Sequence, residues 1–362
     1  MKERTSLHPF GHGGDLQTAA QAYGFDPEEI IDFSANINPL GQPPGLLAYV
    51  ANNLDAVSTY PDPACRKLCA TIKRRYQPRH SIIVGNGAGE LIYLLMRTLP
   101  DGPVLLAAPT FTLYEKAANA AGRAARYHQL QHAAHFALQI DDFCSQIVRE
   151  RPALVMLCNP NNPTGAGATR ADVLTVSEAC AQVGAYLIVD EAFLEFHPQW
   201  HSRTLLTEAP DNVLVLCSMT KMYAIPGLRL GFLAAPDAVC AAMQNLKDPW
   251  SVNALAQLAG EFVLRDEHFI NQTVETITQL AHDFYTALQA IPSIRPYRPT
   301  ANYIFIESAT TPSQVLQHQL MAQKILVRDC GSYAGLEKRY VRVAVRSHAH
   351  NAALIDALNT LK

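Results

Sequence analysis

Short apolar runs alternate with helically spaced ones through the first two thirds of the chain. "SIIVGN" leads into "AGELIYLLMRTL", "PVLLAAP" into "TLYEKAANAAG" and "ALVMLCNP" into "RADVLTVSEACAQVG", with "AYLIVDEAF" and "NVLVLCSMT" following. Strand-length runs joined by helical segments predict βαβ units on a mainly parallel sheet, an α/β domain over 41–249. After "KDPWSVNALAQ" the spacing is helical over a long stretch. It then turns strand-like in "ANYIFIES", "KILVRDC" and "RYVRVAVRS", and helical again in "NAALIDALNTLK". This pattern predicts a second, smaller α+β domain over 250–362, carried on a long connecting helix. Residues 1–40 are expected to form an arm packed against it.

With 362 residues, 49% of them hydrophobic, the chain can bury a large core, and a formal net charge of −3 carries no signal for nucleic acid. No apolar run approaches a membrane span, and "MKERTSLHPFGHGGD" lacks the apolar stretch of a secretory signal, so a cytoplasmic location is expected. Eight cysteines are scattered, with only Cys65 and Cys69 close together. All are expected to be reduced, with no metal site.

In a parallel sheet, ligands bind beyond the carboxyl ends of the strands. Four such ends carry polar groups: "GNGAGE" with Gly87, Ala88 and Gly89, Asn159 in "NPNNPTG", Asp190 in "DEAF", and Ser218, Thr220 and Lys221 in "SMTKMYAIPGLRLG". A glycine-rich turn at a helix start offers N–H groups and a dipole to an anion, and serves equally as a plain turn. Asp190 closes a continuous apolar strand, where an unpaired carboxylate is expensive to bury, so it calls for a cation, a metal or a protonated ring nitrogen. A nucleotide-hydrolysing site would need GxxxxGK[ST], which is absent. One cofactor uses all of these groups, pyridoxal phosphate. Backbone amides, Ser218 and Arg229 would hold its phosphate, Asp190 its ring nitrogen and Asn159 its phenolic oxygen, while Lys221 would take its aldehyde as a Schiff base. Phe111 in "APTFTLY" reads as a stacking face for that ring or as ordinary core.

"NPNNPTG", "YLIVDEAF" and "SMTKMYAIPGLRLG", in this order and spacing, resemble the fold type I, aspartate aminotransferase-like pyridoxal phosphate enzymes, in the branch of the histidinol-phosphate aminotransferases. The resemblance implies that Lys221 and Asp190 are catalytic and that the hydroxyls beside Lys221, with Arg229, clamp the cofactor phosphate. It also implies a two-fold homodimer in which Tyr60, in "STYPDP", reaches the neighbouring subunit's cofactor; a tyrosine before proline also serves to cap a turn.

Outside the shared motifs, "HGGD", "IDFSANINPLG", "YPDP", "DPWSVNALAQLAGE" and "RYVRVAVRS" are similar to the L-threonine O-3-phosphate decarboxylases of cobalamin biosynthesis. The reaction this implies is loss of carbon dioxide from a small phosphorylated amino acid, giving (R)-1-amino-2-propanol O-2-phosphate. Arg342 is expected on the substrate carboxylate. Arg346, of like parity in the strand, is expected on the same face and on the substrate phosphate with His12, Asn36 and Arg328, although Arg328 reads equally as a surface residue. Phe193 stands where the aminotransferases usually carry a tyrosine, which favours the decarboxylase. The alternatives are an aminotransferase acting on histidinol phosphate and a decarboxylase preferring L-serine O-phosphate.

Overall fold

The computed structural model describes residues 7 and 13–361. Strand β1 (Ile31–Asp32) precedes seven strands that form one large sheet: β2 (Ser81–Asn86), β3 (Val104–Ala108), β4 (Ala125–Gln129), β5 (Leu154–Cys158), β6 (Tyr186–Asp190), β7 (Val213–Ser218) and β8 (Leu230–Ala235). Their order is β2-β8-β7-β6-β5-β3-β4. All run parallel except β8, which is antiparallel to both of its neighbours. The expected parallel sheet is thus modified by one reversed strand, whose direction the apolar pattern of "LGFLAA" does not encode.

The sheet is covered on both faces, and alternate residues of each strand enter separate cores. Leu105, Val155, Leu187 and Val215 face one, whereas Leu106, Met156, Ile188 and Leu216 face the other. Each such aliphatic side chain contributes roughly 1.5–3 kcal/mol on burial, which explains why these strands read as continuous apolar runs. The edge strand β4, "ARYHQ", is half-exposed and polar, so its sequence carries no such run.

The remaining strands are β9 (Ile294–Pro296), β10 (Tyr303–Ser308), β11 (Ile325–Leu326), β12 (Arg328–Asp329) and β13 (Tyr340–Ala344). Four of them build an antiparallel sheet in the order β12-β13-β10-β9. β11 pairs instead with β1, in parallel, with Ile31 opposite Ile325. The helix Leu16–Tyr23 seals this junction, its Ala19 and Ala20 packing with Leu7, Met321 and Leu326. Where one long connecting helix was expected there are two, Ala254–Val263 and Glu267–Gln289, because Asp266 caps the second by accepting the Phe269 N–H at 2.9 Å. All eight cysteines are free. Among the described residues no helix is long and apolar enough to cross a membrane.

Candidate active site

The carboxyl ends of β2, β5, β6 and β7 open on one crevice, and the reversal of β8 sets Arg229, the residue before it, at the same edge. The helix Gly87–Thr98 starts there without a side-chain cap on its first N–H groups. Gly87 has φ 73°, and a Cβ on it would lie 2.5 Å from Arg229 Nη2. The guanidinium therefore sits against the positive end of the helix dipole, an arrangement that is unfavourable without an anion between them. Gly231 permits the close approach, since a Cβ there would meet the Ala88 nitrogen at 2.7 Å. Ser218 and Thr220 Oγ1 share a hydrogen bond of 2.8 Å, and Lys221 Nζ donates to Thr220 Oγ1 at 2.7 Å. Desolvation, with the Arg229 charge second, lowers the Lys221 ammonium pKa to about 8.

Asp190 is buried at the end of β6. Its Oδ1 accepts from the Ala192 N–H at 2.9 Å, and its Oδ2 from the Tyr114 hydroxyl at 2.7 Å. Burial holds its carboxyl above the usual range, partly offset by these two donors, which is the signature of a carboxylate built for a cationic partner. Phe111 lies three residues before Tyr114, edge-on to its ring at 5.5 Å and 86°.

The structure corrects one expected contact. Asn159 is turned into its own loop, its Nδ2 donating to the Ala168 carbonyl at 3.2 Å and its Oδ1 accepting the Ala168 N–H at 2.9 Å. The amide that faces the arginines is Asn162, three residues on in the same motif. Its Oδ1 accepts from Arg342 Nη1, and its Nδ2 has no acceptor among the described residues. "NPNNPTG" offers three asparagines, and spacing alone does not say which one a strand-end loop turns inward.

Beside this crevice lies a second basic cluster. Arg342 is buried, donates to the Ser34 carbonyl at 2.6 Å, and lies over the Tyr303 ring at 5.6 Å. Arg328 is buried rather than on the surface, is directly opposite Arg342 across the β12–β13 pair, and rests on Tyr333 at 5.4 Å. Opposed residues of an antiparallel pair share a face. Arg346 departs from the expected register: β13 ends at Ala344, and Arg346 lies past it, close enough to Asp32 to favour that residue's ionised form. Asn36 is buried, and neither its Nδ2 nor its Oδ1 has a partner among the described residues; nor has the Nε of Arg342 or of Arg346. His12 lies outside the described residues. Tyr60 is 79% exposed and contacts Trp250, ring centroids 4.6 Å apart, far from enclosure in this chain's own crevice. Phe193 is buried edge-on to Tyr303 at 5.0 Å, so no hydroxyl enters the site from that position.

Tyr114, Asn162, Ser34 and Tyr303 complete the site and were missed in the sequence. Tyr114 carried a signal: it falls three residues after Phe111, in the first turn of the helix Leu113–Ala120, and its hydroxyl reaches Asp190 at the end of β6.

These groups fit pyridoxal phosphate: an uncompensated cation at a helix start, a buried carboxylate awaiting a cationic partner, and a lysine of lowered pKa between them. Comparison with known proteins agrees. The sequence profile "aminotransferase class I and II" matches residues 28–358. The chain is 37% identical over 360 residues, 98% of each chain, to the threonine-phosphate decarboxylase of Salmonella typhimurium. It is 29% identical over 343 residues, 94% of this chain and 91% of the other, to the histidinol-phosphate aminotransferase of Methanocaldococcus jannaschii. The crystal structure of the histidinol-phosphate aminotransferase from Clostridium acetobutylicum superposes with a TM-score of 0.84 and 26% identity, covering 90% of this chain and 97% of that one. The chain therefore belongs to the class I and II aminotransferase family of pyridoxal phosphate enzymes, in the group that contains the threonine-phosphate decarboxylases.

Proposed function

We propose that this protein decarboxylates L-threonine O-3-phosphate to (R)-1-amino-2-propanol O-2-phosphate, and that the arginine pair of β12 and β13 is what selects a phosphorylated substrate. The observation that carries this reading is the register that sets Arg328 opposite Arg342 beside the unpartnered amide of Asn36. Two like charges opposed on one face are destabilising by themselves, and a phosphate dianion matches them better than a carboxylate does. Arg342, first expected on the substrate carboxylate, is accordingly reassigned to the phosphate, with Arg328, Asn36 and Arg346.

When bound, pyridoxal phosphate supplies an electron sink for whichever bond at the substrate's Cα stands perpendicular to its ring. The protein's task is therefore orientation. Gripping the phosphate through Arg328 and Arg342 leaves the carboxylate unclamped and free to take the perpendicular position. Asn162 is the donor proposed for the cofactor's phenolic oxygen in place of Asn159, and Phe111 the face on which its ring rests. Arg229, Ser218, Thr220 and the N–H groups of Ala88 and Gly89 hold the cofactor phosphate. Asp190 keeps a proton on the ring nitrogen, and Lys221 Nζ, once released by the substrate, delivers a proton to Cα after carbon dioxide has left.

A two-fold homodimer belongs to this reading. Leu47, Leu54, Val57 and Tyr60, along one segment, and Trp250, against Tyr60, are exposed apolar and aromatic side chains, which suits a second copy of the chain and would carry Tyr60 into that copy's crevice. A cytoplasmic enzyme follows from the same reading.

The test is to incubate cofactor-loaded protein with L-threonine O-3-phosphate, without any 2-oxo acid, and follow carbon dioxide and the phosphorylated amine. Catalytic release of both is expected. Glutamate formed from 2-oxoglutarate and histidinol phosphate at catalytic rates, with no gas, would make the protein an aminotransferase instead. Phosphoserine is the informative second substrate, since a pocket rejects one missing methyl by only about 1–3 kcal/mol.

A further inference from the structure

We propose that Tyr114 is a positioning residue of the reaction: its hydroxyl fixes the orientation and the charge of the Asp190 carboxylate that meets the cofactor's ring nitrogen. This rests on the role given to Asp190 above.

The two oxygens of Asp190 are held differently. Oδ1 takes a backbone N–H, from Ala192 at 2.9 Å, which the chain supplies whatever the side chains are. Oδ2 takes the Tyr114 hydroxyl at 2.7 Å, the one side-chain donor to this carboxylate among the described residues. Tyr114 is fully buried among Leu91, Ala117 and Met156, so its ring has little freedom to swing away. Its oxygen also lies beside the Cys158 thiol. The thiol's own proton goes to the Pro160 carbonyl at 3.2 Å, and the single proton of the phenol goes to the carboxylate.

This donation matters for charge. Burial drives Asp190 toward its neutral form, and the Tyr114 hydroxyl is the largest of the contacts that oppose it. A protonated Asp190 would point a hydrogen at one of two groups that already donate to it. These two donors therefore favour the carboxylate over the acid, and the carboxylate is the form that keeps a ring nitrogen protonated. Orientation is served by the same contact. Tyr114 lies in the first turn of the helix Leu113–Ala120 and Phe111 just ahead of that helix, and their rings meet edge to face, so the residue proposed beneath the cofactor ring packs directly against the residue that aims the carboxylate at its nitrogen.

A buried phenol needs some partner, so Tyr114 could serve stability alone; the state of the ring nitrogen separates the two roles. Holoenzyme is reconstituted with pyridoxal phosphate labelled with nitrogen-15 in the ring, as wild type, Tyr114→Phe, Asp190→Asn and the double variant. Tyr114→Phe is expected to move the nitrogen resonance toward the unprotonated position. It should lower kcat by roughly ten- to a hundredfold, as for loss of one charge-assisted hydrogen bond, with KM nearly unchanged. In the Asp190→Asn background it should add nothing. Site-specific 3-fluorotyrosine at position 114, a stronger donor of nearly equal size, should move the resonance the other way and tests the idea even where Tyr114→Phe folds poorly. An unmoved resonance in both Tyr114 variants, with Asp190→Asn shifting it, would leave Tyr114 a packing residue. If Asp190→Asn does not shift it either, the assignment of Asp190 itself fails.

Discussion

Lys221 shows how much of a residue's chemistry its surroundings decide. Nothing in "SMTKMY" distinguishes a lysine of ordinary basicity from one poised near neutrality. The structure does so by partly burying it and facing it with Arg229, which lowers its pKa to about 8. The neutral amine is the form that attacks an aldehyde, so the rate at which apoenzyme captures pyridoxal phosphate should rise with pH and level off above about 8. Stopped-flow absorbance from pH 6 to 10 measures this; a rate still climbing at pH 10 would mean an unperturbed lysine. The identities of Lys221, Asp190 and Arg229 were legible in the sequence because each breaks an apolar context at a strand end. The choice between Asn159 and Asn162 was not, because it depends on which way one loop turns. Nor was the pairing of Arg328 with Arg342, which depends on register between strands separated by the segment 330–339.

At the level of elements, the cofactor cup depends on two backbones approaching closely. The start of the helix Gly87–Thr98 and the β7–β8 edge meet with no room for a side chain between Gly87 and Arg229. Gly87→Ala adds a methyl at 2.5 Å from the guanidinium and puts an L-residue in the left-handed region at φ 73°, a strain of roughly 1–2 kcal/mol. Its main effect should fall on cofactor affinity, at least about tenfold weaker, while the apoenzyme melts only a few degrees lower. Titrating pyridoxal phosphate into apoenzyme by fluorescence checks this, and an unchanged Kd would show that Arg229 is not part of the clamp. Strand positions were readable from their apolar runs. The direction of β8 was not, yet that direction is what carries Arg229 to the functional edge.

At the scale of the whole molecule, the exposed Tyr60 and Trp250 predict a test of shared sites. Lys221→Ala and Tyr60→Ala proteins, each impaired alone, should regain activity when refolded together. Each mixed dimer would hold one site free of both changes, giving about a quarter of wild-type turnover for random pairing. Sedimentation should show a dimer, and mixtures no more active than their parts would mean that Tyr60 serves only its own chain. The broad architecture, and an arm over 1–40 set against the second domain, could be read from the order of runs along the chain, but the β1–β11 pairing that joins them could not, because two-residue strands leave no pattern.

That joining has a consequence for how the protein is made. Ile31 emerges from the ribosome long before its partner Ile325. The strands of the large sheet, between residues 81 and 235, are complete well before then and can fold as a unit during translation. β1 has no strand partner until β11 has been made. The segment around β1 supplies the Ser34 carbonyl to Arg342, and its Asn38 N–H donates to the Lys221 carbonyl at 3.1 Å. Assembly of the reaction centre therefore follows that of the large sheet, and a nascent chain stalled before β11 would carry a formed sheet and an incomplete site.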